Sequence, residues 1–136
     1  MNTLQQQIEA FLSESAVGVV GASRNKSKYG YLVFNALRDA GYTVVPVNPN
    51  ASEIDGIPTV PNVSHLPVAI TAIVTITPPQ ITEPTIELAL TGNIKHIWMQ
   101  PGSETQRSIV HAQQAGISVI AGGPCILVAL AARRNS

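Results

Sequence analysis

The chain has 136 residues, of which 45% are hydrophobic, 12% charged and 4% aromatic, with eight basic and eight acidic side chains. This describes one domain able to bury an aliphatic core without disulfide or metal support, and a net charge of zero excludes the basic field that draws nucleic acid by counterion release. Apolar runs such as Ala69 to Ile76 fall far short of the roughly twenty residues that cross a bilayer, and the N-terminus lacks the pattern of a signal peptide, so a cytoplasmic protein without membrane contact is expected.

Leu4, Ile8, Phe11 and Leu12 repeat at helical spacing and predict an opening amphipathic helix within residues 1–15. Val17 to Val20 is the first strand, and it runs into Gly21-Ala22-Ser23, with Arg24, Lys26 and Lys28 close behind. The next helix begins near Tyr29 and Gly30, carries Leu32, Val33, Ala36, Leu37 and Ala40 on one stripe, and stops at Gly41. Tyr42 to Val47 is the second strand, broken by Asn48-Pro49 because proline lacks the ladder donor.

Ile57 to Val60 reads as a short third strand, followed by a turn or half-helix from Asn62 to Leu66. Ala69 to Ile76 is the continuous β-branched run of a central strand covered on both faces, ended by Thr77-Pro78-Pro79. A helix from about Thr82 to Thr91 is stopped by Gly92, and Ile94 to Met99 is the next strand. Ser103 with Gln106 reads as a capping box for a helix through Ala115, ended by Gly116. Ile117 to Ala121 is the last strand, and Pro124 begins a final helix carrying Arg133 and Arg134 at its negative end. The alternation predicts an α/β fold: one Rossmann-like, doubly wound parallel sheet of five to six strands, with helices on both faces.

In such a sheet ligands bind at the carboxyl ends of the strands, so the strand exits carry the functional reading. Gly21-Ala22-Ser23 lets backbone approach an anion, the following helix presents free N–H groups, and the basic residues suit phosphate. The bland alternatives are a capped strand-to-helix turn and a solvated basic loop. Ser23 and Lys26 stand where the second and third glycines of G-x-G-x-x-G would fall, and no acidic residue closes the second strand. Both features count against NAD, while a phosphorylated ribose stays open through Arg24 or Lys26. Trp98 is balanced between core and ligand platform.

Cys125 reads either as a small buried hydrophobe or as a helix-start thiol favoured as thiolate. As the single cysteine it forms no internal disulfide, consistent with a reducing compartment. His65, His96 and His111 show no ligand spacing, so no metal is expected. No Ser–His–Asp pattern or other catalytic constellation is visible either.

Together Val19-Val20-Gly21-Ala22-Ser23, Val45-Pro46-Val47-Asn48-Pro49, Thr77-Pro78-Pro79, Trp98-Met99-Gln100-Pro101-Gly102 and Gly123-Pro124-Cys125 resemble the stand-alone CoA-binding domain family. That family is similar to the nucleotide-binding domain of the succinyl-CoA synthetase α subunit. The resemblance runs from about Val17 to Leu130 and implies coenzyme A or an acyl-CoA held across the strand exits. Gly21, Ser23 and the basic loop would hold the diphosphate or ribose phosphate. Asn48 and Pro49 would lie near the nucleotide or upper pantetheine arm, and Thr77, Pro78 and Pro79 would line the path. Ala22, Tyr29, Gly30, Val47, Met99, Gln100 and Cys125 complete the candidate set. The synthetase's ligase domain has no counterpart after Leu130, so a non-catalytic binding or regulatory protein is expected. The alternatives are an NAD(P)-dependent oxidoreductase and a redox module joining Cys125 to CoA by a mixed disulfide. A homo-oligomer or a protein partner is left open.

Overall fold

The computed structural model describes residues 3–134. The ends of the expected 1–136 domain, residues 1, 2, 135 and 136, lie outside the described residues. Thr3 caps α1 (Leu4–Leu12) by accepting from the Gln6 N–H, while the Gln6 side chain accepts from the Thr3 N–H at 2.8 Å. This is the reciprocal box that holds a first turn. The chain then alternates: β1 (Ala16–Val20), α2 (Tyr29–Asp39), β2 (Thr43–Val47), β3 (Glu53–Ile54), β4 (Ile57–Pro58), a 3-10 turn (Val63–His65), β5 (Ala72–Thr75), α3 (Pro79–Ala89), β6 (His96–Met99), α4 (Gln106–Gln114), β7 (Ser118–Ile120) and α5 (Ile126–Arg134).

Five strands form one sheet in the order β2-β1-β5-β6-β7, and every pairing in it is parallel. The side-chain period of two in each strand divides the core into two layers. Val17, Val19, Val74, Trp98 and Ile120 pack with Phe11, Phe34, Leu37, Ile126 and Leu130 from α1, α2 and α5. Val20, Ile73, Ile97, Met99 and Val119 pack with Ile86, Ala89 and Ala112 from α3 and α4. Helices thus cover both faces, as the near-continuous apolar strands require. Trp98 belongs to the first layer: it is fully buried, meets Phe11 edge-on at 5.3 Å, and donates its indole N–H to the Pro124 carbonyl at 3.1 Å.

The structure corrects several local expectations. Ile57 to Val60 does not enter the main sheet as a strand. Ile57 and Pro58 pair instead with Glu53 and Ile54 in a separate antiparallel hairpin, and Val60 alone bridges to Val47. Asp55-Gly56 makes this turn with positive φ at both positions, as a tight two-residue hairpin demands. Ser103 does not cap α4. Thr105 does, accepting from the Ser108 N–H at 3.0 Å, while Ser103 is buried with its hydroxyl 2.9 Å from that of Thr75. α3 starts at Pro79 rather than Thr82, since proline at a first helical position loses no bond. It ends at Ala89 with Leu90 as cap, and Gly92 lies outside the positive-φ glycines that include Gly41 and Gly116. The last helix begins at Ile126, two residues after Pro124.

Candidate functional site

The strand order reverses at β1, whose neighbours are β2 on one side and β5 on the other. α2 and α3 leave from the exits of β1 and β5 and pack on opposite faces, which opens a crevice between them. A cleft of about 1210 Å³ lies there, at the carboxyl ends of the strands.

Its first wall is the β1–α2 turn. Gly21 takes φ +93 and donates to the Val47 carbonyl at 3.2 Å. Gly30 explains why the helix can sit so close: a Cβ there would stand 2.1 Å from the Gly21 carbonyl oxygen. This is the work of a third fingerprint glycine in a spacing that the usual pattern does not cover. The Ser23 hydroxyl accepts from the Asn25 N–H at 3.0 Å, and Asn25 accepts from Ser27, so Ser23 shapes the loop and does not cap the helix. Lys28 occupies the cap position with no side-chain hydrogen bond. Tyr29 and Gly30, the first two helical residues, have no intrahelical acceptor for their N–H groups, and both line the cleft.

The second wall comes from the β2 exit. Val47, Asn48 and Pro49 all line the cleft. The Asn48 amide donates to the Ala22 carbonyl at 2.9 Å and accepts from the Asn50 N–H at 2.7 Å, so this side chain ties two loops together. Beyond it the hairpin is fixed to α2 through Asp55, which accepts from the Tyr31 hydroxyl at 2.6 Å and from Arg38 at 3.0 Å. The Tyr31 hydrogen bond, followed by that of Arg38, holds the Asp55 carboxyl below its ordinary value.

Thr77 and Pro78 form the middle of the cleft, with the Thr77 hydroxyl 2.7 Å from that of buried Thr82. Pro79 begins α3 and is not part of the lining, and neither is Met99, which is fully buried in the α3–α4 layer. The outer stripe of α3, Ile81, Pro84, Thr85 and Leu88, lines the cleft although the sequence reading missed it. The i, i+3, i+4, i+7 spacing carries that signal, but it reads equally as a buried face.

At the far end Gln100 and Cys125 both line the cleft. Gln100 is buried; its amide oxygen accepts from the Ile126 N–H at 2.7 Å, and its amide nitrogen donates to Cys125 Sγ at 3.3 Å. Burial pushes the Cys125 thiol pKa up, but the hydrogen bonds from Gln100 and from the Val128 and Leu127 backbones outweigh it, and the net shift is downward.

Among the described residues Lys28 is the only charged one on the cleft wall, and Ala22 and Ser23 line it nearby. Arg24 and Lys26 do not; the Lys26 ammonium lies 6.0 Å from the Tyr31 ring centroid. The histidines are elsewhere. His65 meets Asn62, His96 lies 3.9 Å from Glu14 at the opposite end of the sheet, and His111 pairs with Glu87 at 2.7 Å. Among the described residues no group of three His, Cys, Asp or Glu side chains could hold a metal, and no helix is long and apolar enough to cross a membrane. Chemically, the arrangement offers uncapped N–H donors at one turn and a long, nearly uncharged wall beside it.

A family model described as a CoA binding domain matches residues 15–131. A conserved hypothetical protein from Pyrococcus furiosus superposes with a TM-score of 0.80 at 34% identity, covering 84% of this chain and 97% of that one. The dinucleotide forming acetyl-coenzyme A synthetase 1 of Ca. Korarchaeum cryptofilum, solved with phosphate and ADP, gives a TM-score of 0.74 at 27% identity over 89% of this chain and 27% of its own. An uncharacterized Bacillus subtilis protein, YneT, is 32% identical over 66 residues, 48% of this chain. That match spans 49%, about half, of the curated relative's length.

Proposed function

The chain belongs to the CoA binding domain family, and from that premise we propose that the cleft holds coenzyme A or an acyl-CoA as a cytoplasmic binding or regulatory protein, without chemistry of its own. The diphosphate sits at the start of α2, and the pantetheine arm runs past Thr77 and Pro78 toward Gln100 and Cys125. The observation that carries this reading is the β1–α2 turn: an uncapped helix start, packed against the strand exit through Gly30, beside the charged side chain of Lys28 on the wall. The close packing of Gly30 on Gly21, where a Cβ would strike the Gly21 carbonyl oxygen, brings the helix start up against the strand exit. Against a nicotinamide cofactor, the β2 exit offers Asn48, whose amide is committed to Ala22 and Asn50, where an acidic residue would bind ribose.

Titration calorimetry with CoA, dephospho-CoA and NAD tests the proposal. CoA binds best, and dephospho-CoA binds more weakly if the basic loop of Arg24, Lys26 and Lys28 reads the 3′-phosphate. Equal or stronger binding of NAD sinks the reading.

The lowered thiol pKa of Cys125 on the cleft wall favours a second reading, in which the protein exchanges with oxidised CoA. The Cys125 thiolate attacks one sulfur of CoA disulfide, the S–S bond breaks, and CoA thiolate leaves as the mixed disulfide forms. Intact mass after incubation with CoA disulfide decides: an unmodified Cys125 excludes this mode.

A further inference from the structure

The aromatic side chains of this protein divide sharply. Phe11, Phe34 and Trp98 are fully buried. Tyr31 and Tyr42 use their hydroxyls on Asp55 and on the Leu12 carbonyl. Tyr29 is the exception: 64% of it is exposed, and it lines the cleft. Among the described residues it is the only aromatic side chain on the cleft wall.

Single exposed apolar residues need no explanation, but these are concentrated. Ile81 and Leu88, at 49% and 44% exposure, are also large apolar side chains left open, and both line the same cleft from α3. α2 and α3 belong to opposite faces of the sheet, so the ring of Tyr29 and the aliphatic stripe of α3 flank the crevice from its two sides. The Thr85 hydroxyl on that stripe already donates to the Ile81 carbonyl at 2.9 Å. Such walls suit a flat group with two apolar faces, which adds ring stacking to the burial that an aliphatic chain would also gain.

Resting on the proposed CoA reading, we infer that Tyr29 is the stacking platform for the purine of the ligand, with the α3 stripe opposite. Its position supports this. Tyr29 is the first residue of α2, next to Lys28 and on the turn whose N–H groups receive the diphosphate, so a base joined to that diphosphate through one ribose lies within reach of the ring. Stacking reads a π face and not a hydrogen-bonding edge, so the residue selects for the presence of a base.

The test compares wild type, Tyr29→Ala and Tyr29→Phe by calorimetry with CoA, ADP and 4′-phosphopantetheine, which has no base. Loss of a stacked base on truncation corresponds to about a 5- to 150-fold fall in affinity. The alanine variant shows that fall for CoA and ADP and none for phosphopantetheine, and the phenylalanine variant stays near wild type. Because Tyr29 is exposed, thermal melting is unchanged in both. An equal fall for phosphopantetheine, or no fall for ADP, overturns the assignment. Failure of wild type to bind CoA overturns the CoA reading itself and is seen before any variant is made.

Discussion

α2 and α5 both follow strand exits at the carboxyl end of the sheet, yet their first turns are finished differently. At α5 the buried Gln100 amide accepts from the Ile126 N–H and holds Cys125 in place, so the helix start is closed by protein. At α4 the Thr105 side chain does the same. At α2 the Ser23 hydroxyl turns back to Asn25, Lys28 gives no side-chain cap, and the first N–H groups stay open to the cleft. A helix start keeps unsatisfied donors only where water or a ligand supplies the acceptor. On the proposed reading, the difference makes α2 the receiving end and α5 the framework, with a thiol set beside it.

The largest effect is expected from forcing the open turn apart. Gly30→Val places a Cβ 2.1 Å from the backbone oxygen of Gly21, which cannot yield as a side chain would. Overpacking costs about 1–3 kcal/mol or more, and CoA binding is lost with the turn. Urea unfolding and calorimetry on the variant check both, and unaltered CoA binding would mean the turn is not the receiving end.

Opening the closed turn is the converse experiment. Gln100→Leu leaves the Ile126 N–H without its acceptor, at about 1–3 kcal/mol for a buried donor. It also removes the leading hydrogen bond that lowers the Cys125 pKa. The midpoint of the pH profile for thiol alkylation therefore moves upward, and stability falls in denaturant. A profile that does not move assigns the thiol's character to the α5 backbone alone.

A smaller change addresses charge at the open turn. Lys28→Gln removes a charged side chain from the cleft wall, where a charge-assisted contact contributes about 1.5–3 kcal/mol. CoA affinity falls about tenfold at low salt, and the salt dependence of the Kd becomes shallower. An undiminished salt slope would place the phosphate contact on Arg24 or Lys26.

The smallest effect concerns the hairpin beside the open turn. The folded-state pKa of Asp55 lies below its usual value of 3.8. Its contribution is therefore fully present above that value and lost as pH falls through the lower, folded-state one. Asp55→Asn narrows the stability gap to wild type on acidification below about pH 4, and a gap constant with pH would show that the Tyr31 and Arg38 contacts do not depend on the carboxylate.

Much of the cleft lining was legible because turn chemistry is local. Gly21, Asn48, Thr77, Pro78, Gln100 and Cys125 lie where each strand stops, and a strand's end is written in its own glycines, prolines and change of polarity. Roles were less legible than positions. Gln100 reads as a ligand contact, yet its amide is committed to Ile126 and Cys125, partners 26 and 25 residues away. Asn48 is likewise committed to Ala22, 26 residues away. Ser103 resembled a cap because hydroxyl and glutamine stood three apart, and Thr105, two residues on, took that role while Ser103 was drawn to Thr75. The α3 stripe escaped notice because periodicity gives a face and not what the face meets.

By itself the sequence determined the parallel α/β sheet and its strand exits, since apolar runs of strand length and helical stripes bounded by glycine and proline leave few other arrangements. Only the tertiary structure decided which helix start stays open and which aromatic ring stays uncovered. Those depend on distances between segments far apart in the chain, such as the 2.7 Å from the Gln100 amide oxygen to the Ile126 nitrogen that closes α5, or the 5.3 Å between the Phe11 and Trp98 rings. Close packing fixes such distances all at once, and no single stretch of residues encodes them.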